Sequence, residues 1–359
     1  MPDSVLRWGV LSTANIGRIA VNPAIRASRN GRLVAVASRD ISRAQDFVDA
    51  MPAETAPGSG SANLIPPRAL GSYEALLEDP DVDAVYIPLP NSLHREWTLR
   101  AVEAGKHVLC EKPLATAEEC MEMDAAARAH GVKLMEAFMY RFHPRTERVV
   151  EMVREGRVGD VRVIRSAFTF RLTRPDNIRL DRRLGGGALM DVGCYCVNVS
   201  RTLLGAEPVA AQATARWTGG YLDAGPETAV DDEMTCILHF EGGVRAHFDC
   251  SLTMERCEYY EVAGTEGHLR VESAFLPGTG PVVIQEHRGR TPVQEHPLEG
   301  EDEYRLMVEH FADCALQDRP VRYPATEAAA NMRAIQALYR SALNGGSAVA
   351  VAPVQRVPA

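Results

Sequence analysis

Between residues 5 and 139, short continuous apolar runs alternate with helix-patterned stretches, and few architectures satisfy that alternation. The runs are VLRWGVL (5–11), LVAVASR (33–39), VDAVYIPLP (82–90), KHVLCEK (106–112) and VKLMEAFM (132–139). They lack the polar–apolar alternation of a half-solvated strand, so both faces of each strand are buried. Helical patterns separate them. SLHREWTLRAVEAG (92–105) ends at a glycine stop, Gly105. TAEECMEMDAAARAHG (116–131) starts at Thr116 with Glu119 three residues on, and ends at Gly131. Pro23 marks a break or a new first turn in the helix after the first strand. Alternating buried strands and helices predict an α/β domain with a parallel, doubly wound sheet. The stretch MPAETAPGSGSANLIPPRALG (51–71) has no period and reads as a long surface loop.

The texture changes near residue 140. RTERVVEMVREG (145–156) is a helix and VRVIRSAFTFRL (161–172) a long alternating strand. Strand-like runs follow, the clearest being a hairpin over 233–253 turning at Gly242-Gly243 and another turning at Gly264–Gly267. Two helices close the chain, around 302–317 and 325–343. A length of 359 residues fits two domains. We expect them at 1–138 and 139–359, the second an α+β domain with a large, open, mostly antiparallel sheet. One face of that sheet would stay bare unless something covers it.

Composition narrows the function. The formal net charge of −9 argues against non-specific nucleic-acid binding and against a basic membrane surface. No signal-peptide pattern and no run of about 18 apolar residues is seen. The eight cysteines form no C-x-x-C pair and no zinc spacing, so no metal site is expected; they fit buried thiols in a reducing cytoplasm.

Four motifs carry chemistry. At the first strand-to-helix turn, Ser12, Thr13, Ala14, Asn15 and Ile16 precede Gly17, where a dinucleotide fingerprint has G-x-G-x-x-G. Only the last glycine is present, and the alternative is an ordinary tight turn. The second strand ends in Ser38-Arg39-Asp40, with Arg43 a turn later. A hydroxyl and two guanidinium groups suit a 2′-phosphate, which favours NADP(H) over NAD(H). A solvated helix start, with the arginines paired to Asp40 or Asp46, is the alternative. YIPLPNSLH ends the next strand and offers Leu89, Asn91 and His94, with Asn91 also able to cap a helix. The stretch GKHVLCEKPLAT places Glu111 and Lys112 at a strand end, before Pro113. A lysine there can serve proton transfer to a ligand, and its X-Pro bond can be cis; a surface lysine in a turn is the plainer reading. Later, LGGGALMDVGCYCVN puts Asp191 and Tyr195 four residues apart on one helix face, or else forms a glycine-rich loop before a core helix.

In order, GVLSTANIG, AVYIPLPNSLH, GKHVLCEKPLA, MYRFHP and GGGALMDVGCY resemble the glucose–fructose oxidoreductase/inositol dehydrogenase (Gfo/Idh/MocA) family over nearly the whole chain. STANIG, SRDISRA and the D-x-G-x-Y ending resemble its branch with dimeric dihydrodiol dehydrogenase and NADP-dependent D-xylose dehydrogenase. The resemblance implies a Rossmann domain followed by a substrate and oligomerisation domain. It also implies that Lys112 and Tyr195 act at the substrate carbon, assisted by Asp191. Ser12 to Ile16 would hold the pyrophosphate, and Ser38, Arg39 and Arg43 the adenosine phosphate. Leu89, Asn91, His94 and Glu111 would lie along the nicotinamide side, with Lys112 also contacting the cofactor. Tyr140 and Arg141 would contact substrate or cofactor, and Asn177 would help bind an oxygen-rich substrate. The implied protein is an NADP(H)-dependent oxidoreductase of sugar-like alcohols, a homodimer or homotetramer. A nucleotide-sugar ketoreductase and a non-catalytic NADP(H) sensor are the alternatives. The arginines in FRLTRPDNIRLDRR (170–183) keep the first of these open.

Overall fold

The structure is a computed structural model describing residues 5–51, 66–218 and 229–353. It divides into two compact units: Met1–Met139 with Asp302–Thr326, and Tyr140–Glu301 with Glu327–Ala359. The units part after Met139, and the chain returns to the first unit at Asp302, which the sequence reading did not foresee.

The first unit holds β1 (Leu6–Leu11), β2 (Gly31–Ala37), β3 (Arg68–Leu70), β4 (Ala84–Ile87), β5 (His107–Cys110) and β6 (Leu134–Glu136), in the order β3-β2-β1-β4-β5-β6. Every pairing is parallel. The helices are α1 (Asn22–Ala27), α2 (Ile41–Asp49), α3 (Tyr73–Leu77), α4 (His94–Glu103) and α5 (Ala117–Ala129). This is the doubly wound arrangement, whose strand order reverses between β1 and β4. Val85, Tyr86, Val108 and Leu109 are fully buried, as the continuous apolar runs require. Pro23 stands in the first turn of α1, behind a π-helical turn over Gly17–Val21. Thr116 and Glu119 form the capping box of α5. Of the expected 51–71 loop, residues 52–65 lie outside the described residues. Its end is corrected: Arg68–Leu70 is the edge strand β3.

The second unit holds α6 (Pro144–Arg154), β7 (Val161–Thr169), α7 (Cys194–Leu204), β8 (Ala210–Trp217), β9 (Asp231–His239), β10 (Arg245–Ser251), β11 (Cys257–Gly264), β12 (His268–Glu272), β13 (Val282–His287), β14 (Gln294–Leu298) and β15 (Val349–Ala350). The nine strands run β14-β13-β12-β11-β7-β10-β9-β8-β15, with β7 and β10 parallel and the other pairs antiparallel. Ile164, Phe168, Phe248, Cys250, Cys236 and Tyr260 point to one buried face. The other face carries cross-strand ion pairs of Arg165 and Arg270 with Glu261, and Arg270 also pairs with Glu272 on its own strand.

The chain then returns to the first unit as α8 (Glu303–Leu316), where Phe311 packs on Trp8 with ring centroids 5.3 Å apart and Glu309 O accepts from Asn30 Nδ2 at 2.9 Å. That contact is the physical reason for the split. The last helix, α9 (Ala325–Leu343), enters the second unit at Glu327. All eight cysteines are free thiols, and all but Cys257 are buried. Among the described residues no helix is long and apolar enough to cross a membrane.

Candidate active site

The candidate residues fall in two groups, one in each unit. In the first unit they gather at the carboxyl ends of the parallel strands, where open α/β sheets bind ligands. After β1, Ser12 takes φ +137°, a conformation that favours glycine. Its hydroxyl donates to Pro88 O and accepts from Ala14 N, both at 3.2 Å. The first bond ties the turn after β1 to the loop after β4, at the strand-order reversal. Serine thus keeps a glycine-like path with its own side chain as the tether. Thr13, Ala14, Asn15 and Ile16 follow at the start of a helix, at least partly exposed. A helix start with reachable backbone N–H groups is the donor set a pyrophosphate needs.

At the end of β2, Ser38 is buried and its oxygen accepts from Asp40 N at 3.4 Å. Asp40 caps α2 through Ser42 N at 2.8 Å. Arg39 and Arg43 are exposed, and neither forms an ion pair among the described residues. The alternative in which Asp40 or Asp46 neutralises them therefore does not hold here. These residues fit a phosphorylated adenosine ribose.

The turn after β5 is fixed on three sides. The Lys112–Pro113 peptide is cis. Tyr86 Oη donates to Glu111 Oε1 at 2.6 Å, and Lys112 N donates to Glu111 Oε2 at 3.3 Å. Leu114 N donates to buried Glu136 at 2.7 Å. His94, fully buried, sets Nδ1 3.0 Å from Pro113 O and 3.1 Å from Leu114 O, with Nε2 2.8 Å from Leu89 O. Burial pulls its pKa below the ordinary value, against the opposite pull of these carbonyls. The expectation of a cofactor-facing His94 is corrected: both ring nitrogens face backbone carbonyls, and it braces the loop at Leu89 and the turn carrying Lys112. Leu89 is itself buried, and Asn91 opens a short 3₁₀ turn before α4.

In the second unit, Tyr195 lies on α7 inside an aromatic cluster, its ring 5.2 Å from Phe275, 5.4 Å from Phe168 and 5.9 Å from Tyr140. Asp191 lies in a π-helical turn, Leu189–Gly193, that runs directly into α7. Such turns recur at functional sites. Arg179 Nε donates to Asp191 Oδ2 at 2.5 Å. The sequence reading did not pair them. The glycines before the turn explain how Arg179 arrives: Gly187 N donates to Arg179 O at 2.9 Å, and a Cβ on Gly186 would collide with that same oxygen.

Two further expectations are corrected. Tyr140 is fully buried, and its hydroxyl donates to Asn198 Oδ1 at 2.6 Å. Arg141 is 6% exposed and donates to Glu327 at 2.6 Å, which also pairs with Arg201 at 2.7 Å. Both side chains brace the interior of the second unit. Asn177 accepts from Arg179 N at 3.0 Å and caps a 3₁₀ turn. It lines a cavity of about 640 Å³ together with Pro175, Asp176, Leu180, Asp181, Arg182 and Arg183.

Two family models match the chain. One, an oxidoreductase family with an NAD-binding Rossmann fold, covers residues 6–138; the other, the GFO/IDH/MocA C-terminal domain, covers residues 146–270. The chain is 40% identical over 346 residues to D-xylose 1-dehydrogenase (NADP(+)) 2 of Haloferax volcanii, spanning 95% of this chain and 99% of that protein. It is 36% identical over 276 residues to trans-1,2-dihydrobenzene-1,2-diol dehydrogenase of Mus musculus, spanning 76% of each. A 3-ketoreductase from Actinomadura kijaniata, solved with NADP and TDP-benzene, matches with a TM-score of 0.83 and 30% identity, over 94% of this chain and 98% of that one. The same ketoreductase has been solved with a lysine replaced by alanine and with a tyrosine replaced by phenylalanine, each with TDP-benzene and NADP.

Proposed function

Because the chain belongs to the GFO/IDH/MocA family of oxidoreductases, we propose that it transfers a hydride between NADP(H) and a CH–OH or C=O carbon of a sugar or sugar-like alcohol. The observation that carries this reading is the carboxyl edge of the parallel sheet. There a tethered turn after β1, two exposed arginines after β2 and a braced lysine turn after β5 come from one unit. The bound nicotinamide supplies the hydride chemistry. Ser12 to Ile16 hold the pyrophosphate by backbone donors, with Ser38, Arg39 and Arg43 at the 2′-phosphate. In oxidation, the Tyr195 phenolate takes the proton of the substrate hydroxyl and becomes the phenol, and the Lys112 ammonium favours the negative charge on these oxygens. Asp191, ion-paired to Arg179, accepts hydrogen bonds from neighbouring hydroxyls. In reduction the proton returns along the same path.

A free sugar is favoured over a nucleotide-linked one by the 170–183 segment. Arg174 pairs with Asp176 at 3.0 Å, Arg183 with Asp181 at 2.8 Å and Arg179 with Asp191 at 2.5 Å. Much of the positive charge a diphosphate would seek is already neutralised. The matched pairing of neutral aldose and NADP(+) in the Haloferax relative supports the same choice. Measured side by side, kcat/KM for a free aldopentose should exceed that for a dTDP-linked keto sugar. A reversed order would make the chain a nucleotide-sugar ketoreductase.

We further propose a cytoplasmic homodimer or homotetramer paired through the outer face of the nine-stranded sheet. Arg165 and Arg270 on that face keep side-chain exposures of 42% and 34%, so the chain itself leaves the face uncovered. Light scattering at micromolar concentration should give a multiple of the chain mass. A single-chain mass at low salt would contradict the assembly.

A further inference from the structure

Asp231, the first residue of β9, is 1% exposed. A carboxyl group at that depth persists only where donors meet it. Two do. Leu189 N donates to Oδ2 at 2.6 Å, and the Tyr339 hydroxyl on α9 donates to Oδ1 at 2.7 Å. Leu189 opens the π-helical turn that carries Asp191 and leads to Tyr195. The first N–H groups of a helix lack partners within it, so a carboxylate reaching across from another strand fixes where this one begins.

The surroundings leave the contact no slack. Gly187 has φ +125°, and a Cβ there would collide with Asp231 Oδ1 and lie 3.0 Å from the Tyr339 hydroxyl. A Cβ on Gly193 would lie 2.7 Å from Cys250 Sγ on β10. The turn is therefore pressed onto the sheet at both ends. Tyr339 is held in turn by Trp217 of β8, its ring stacked with centroids 6.5 Å apart. Burial also raises the Asp231 pKa to about 7 despite the two donors.

We propose that Asp231, oriented by Tyr339, is a positioning residue for the reaction: it anchors the start of the π-helical turn and so sets where Asp191 and Tyr195 stand. The inference rests on the assignment of Tyr195 and Asp191 to the chemistry. A carboxylate that fixes a reacting group acts on kcat, because displacing such a group by about 1 Å costs about 100-fold in rate.

The test uses the full chain with NADP(H) and the preferred aldose, normal or deuterated at the oxidised carbon. Asp231→Asn should lower kcat by about 10- to 100-fold with NADPH affinity unchanged, and Tyr339→Phe by a smaller factor. In both, the primary deuterium isotope effect on kcat should rise as the chemical step becomes limiting. A purely structural role would lower only the active fraction or the melting temperature, leaving KM and the isotope effect of the active molecules as in the parent. That result overturns the inference. Should Asp231→Asn fail to fold, Tyr339→Phe, which removes one hydroxyl, decides alone. Tyr195→Phe separates the two levels. If it is inactive while the Asp231 and Tyr339 variants behave as the parent, only this inference falls. If Tyr195→Phe retains full activity, the assignment beneath it falls and the inference with it.

Discussion

Lys112→Met should lower kcat by about 10³-fold, the size of a lost group that stabilises charge developing on oxygen, and leave NADPH affinity nearly unchanged. Methionine keeps much of the length and apolar stem of lysine and removes the charge. The turn itself survives, because the contacts that fix it use other groups: Tyr86 through Glu111, His94 on Pro113 O and Leu114 O, and Glu136 on Leu114 N. The lysine-to-alanine form of the related ketoreductase still holds NADP and TDP-benzene, consistent with binding that outlasts such a loss. Stopped-flow turnover and a fluorescence titration with NADPH read the two quantities separately. A variant with turnover within tenfold of the parent would remove Lys112 from the reaction. A variant that loses NADPH binding would make it a cofactor ligand instead.

Arg39→Ala combined with Arg43→Ala should weaken NADPH by at least about 100-fold, since charge-assisted bonds to phosphate contribute roughly 1.5–3 kcal/mol each. NADH lacks the 2′-phosphate and should bind the variant about as it binds the parent. Both side chains are exposed, so the double variant folds. The parent preference should also shrink with added salt, as a phosphate contact in open solvent must. Equal weakening of both nucleotides would place the arginines outside phosphate recognition. No weakening of either would remove them from the site.

Much of this was legible in the sequence because it depends on local rules. Continuous apolar runs separated by capped helices allow little but a parallel sheet, and the strand ends then mark where a ligand lies. The hairpin at Gly242-Gly243 was readable for the same reason, and both glycines take positive φ. What escaped depends on tertiary contacts. β3 is three residues long and follows a stretch rich in Pro, Gly and Ser, so it has no period to detect. His94, Tyr140 and Arg141 carry polar groups near the expected site, yet a single sequence does not tell whether such a group meets a ligand or a buried partner. Each met a partner: backbone carbonyls, Asn198 and Glu327. Arg179 and Asp231 become meaningful only when chain segments 12 and 42 residues away are folded onto Asp191 and Leu189.

Absorbance at 340 nm, recorded with NADP and with NAD against a panel of free aldoses, polyols and trans-dihydrodiols, tests the central claim most directly. The account predicts NADPH appearing with NADP and one free pentose or hexose, with NAD much poorer. A silent panel from protein that still binds NADPH would contradict it.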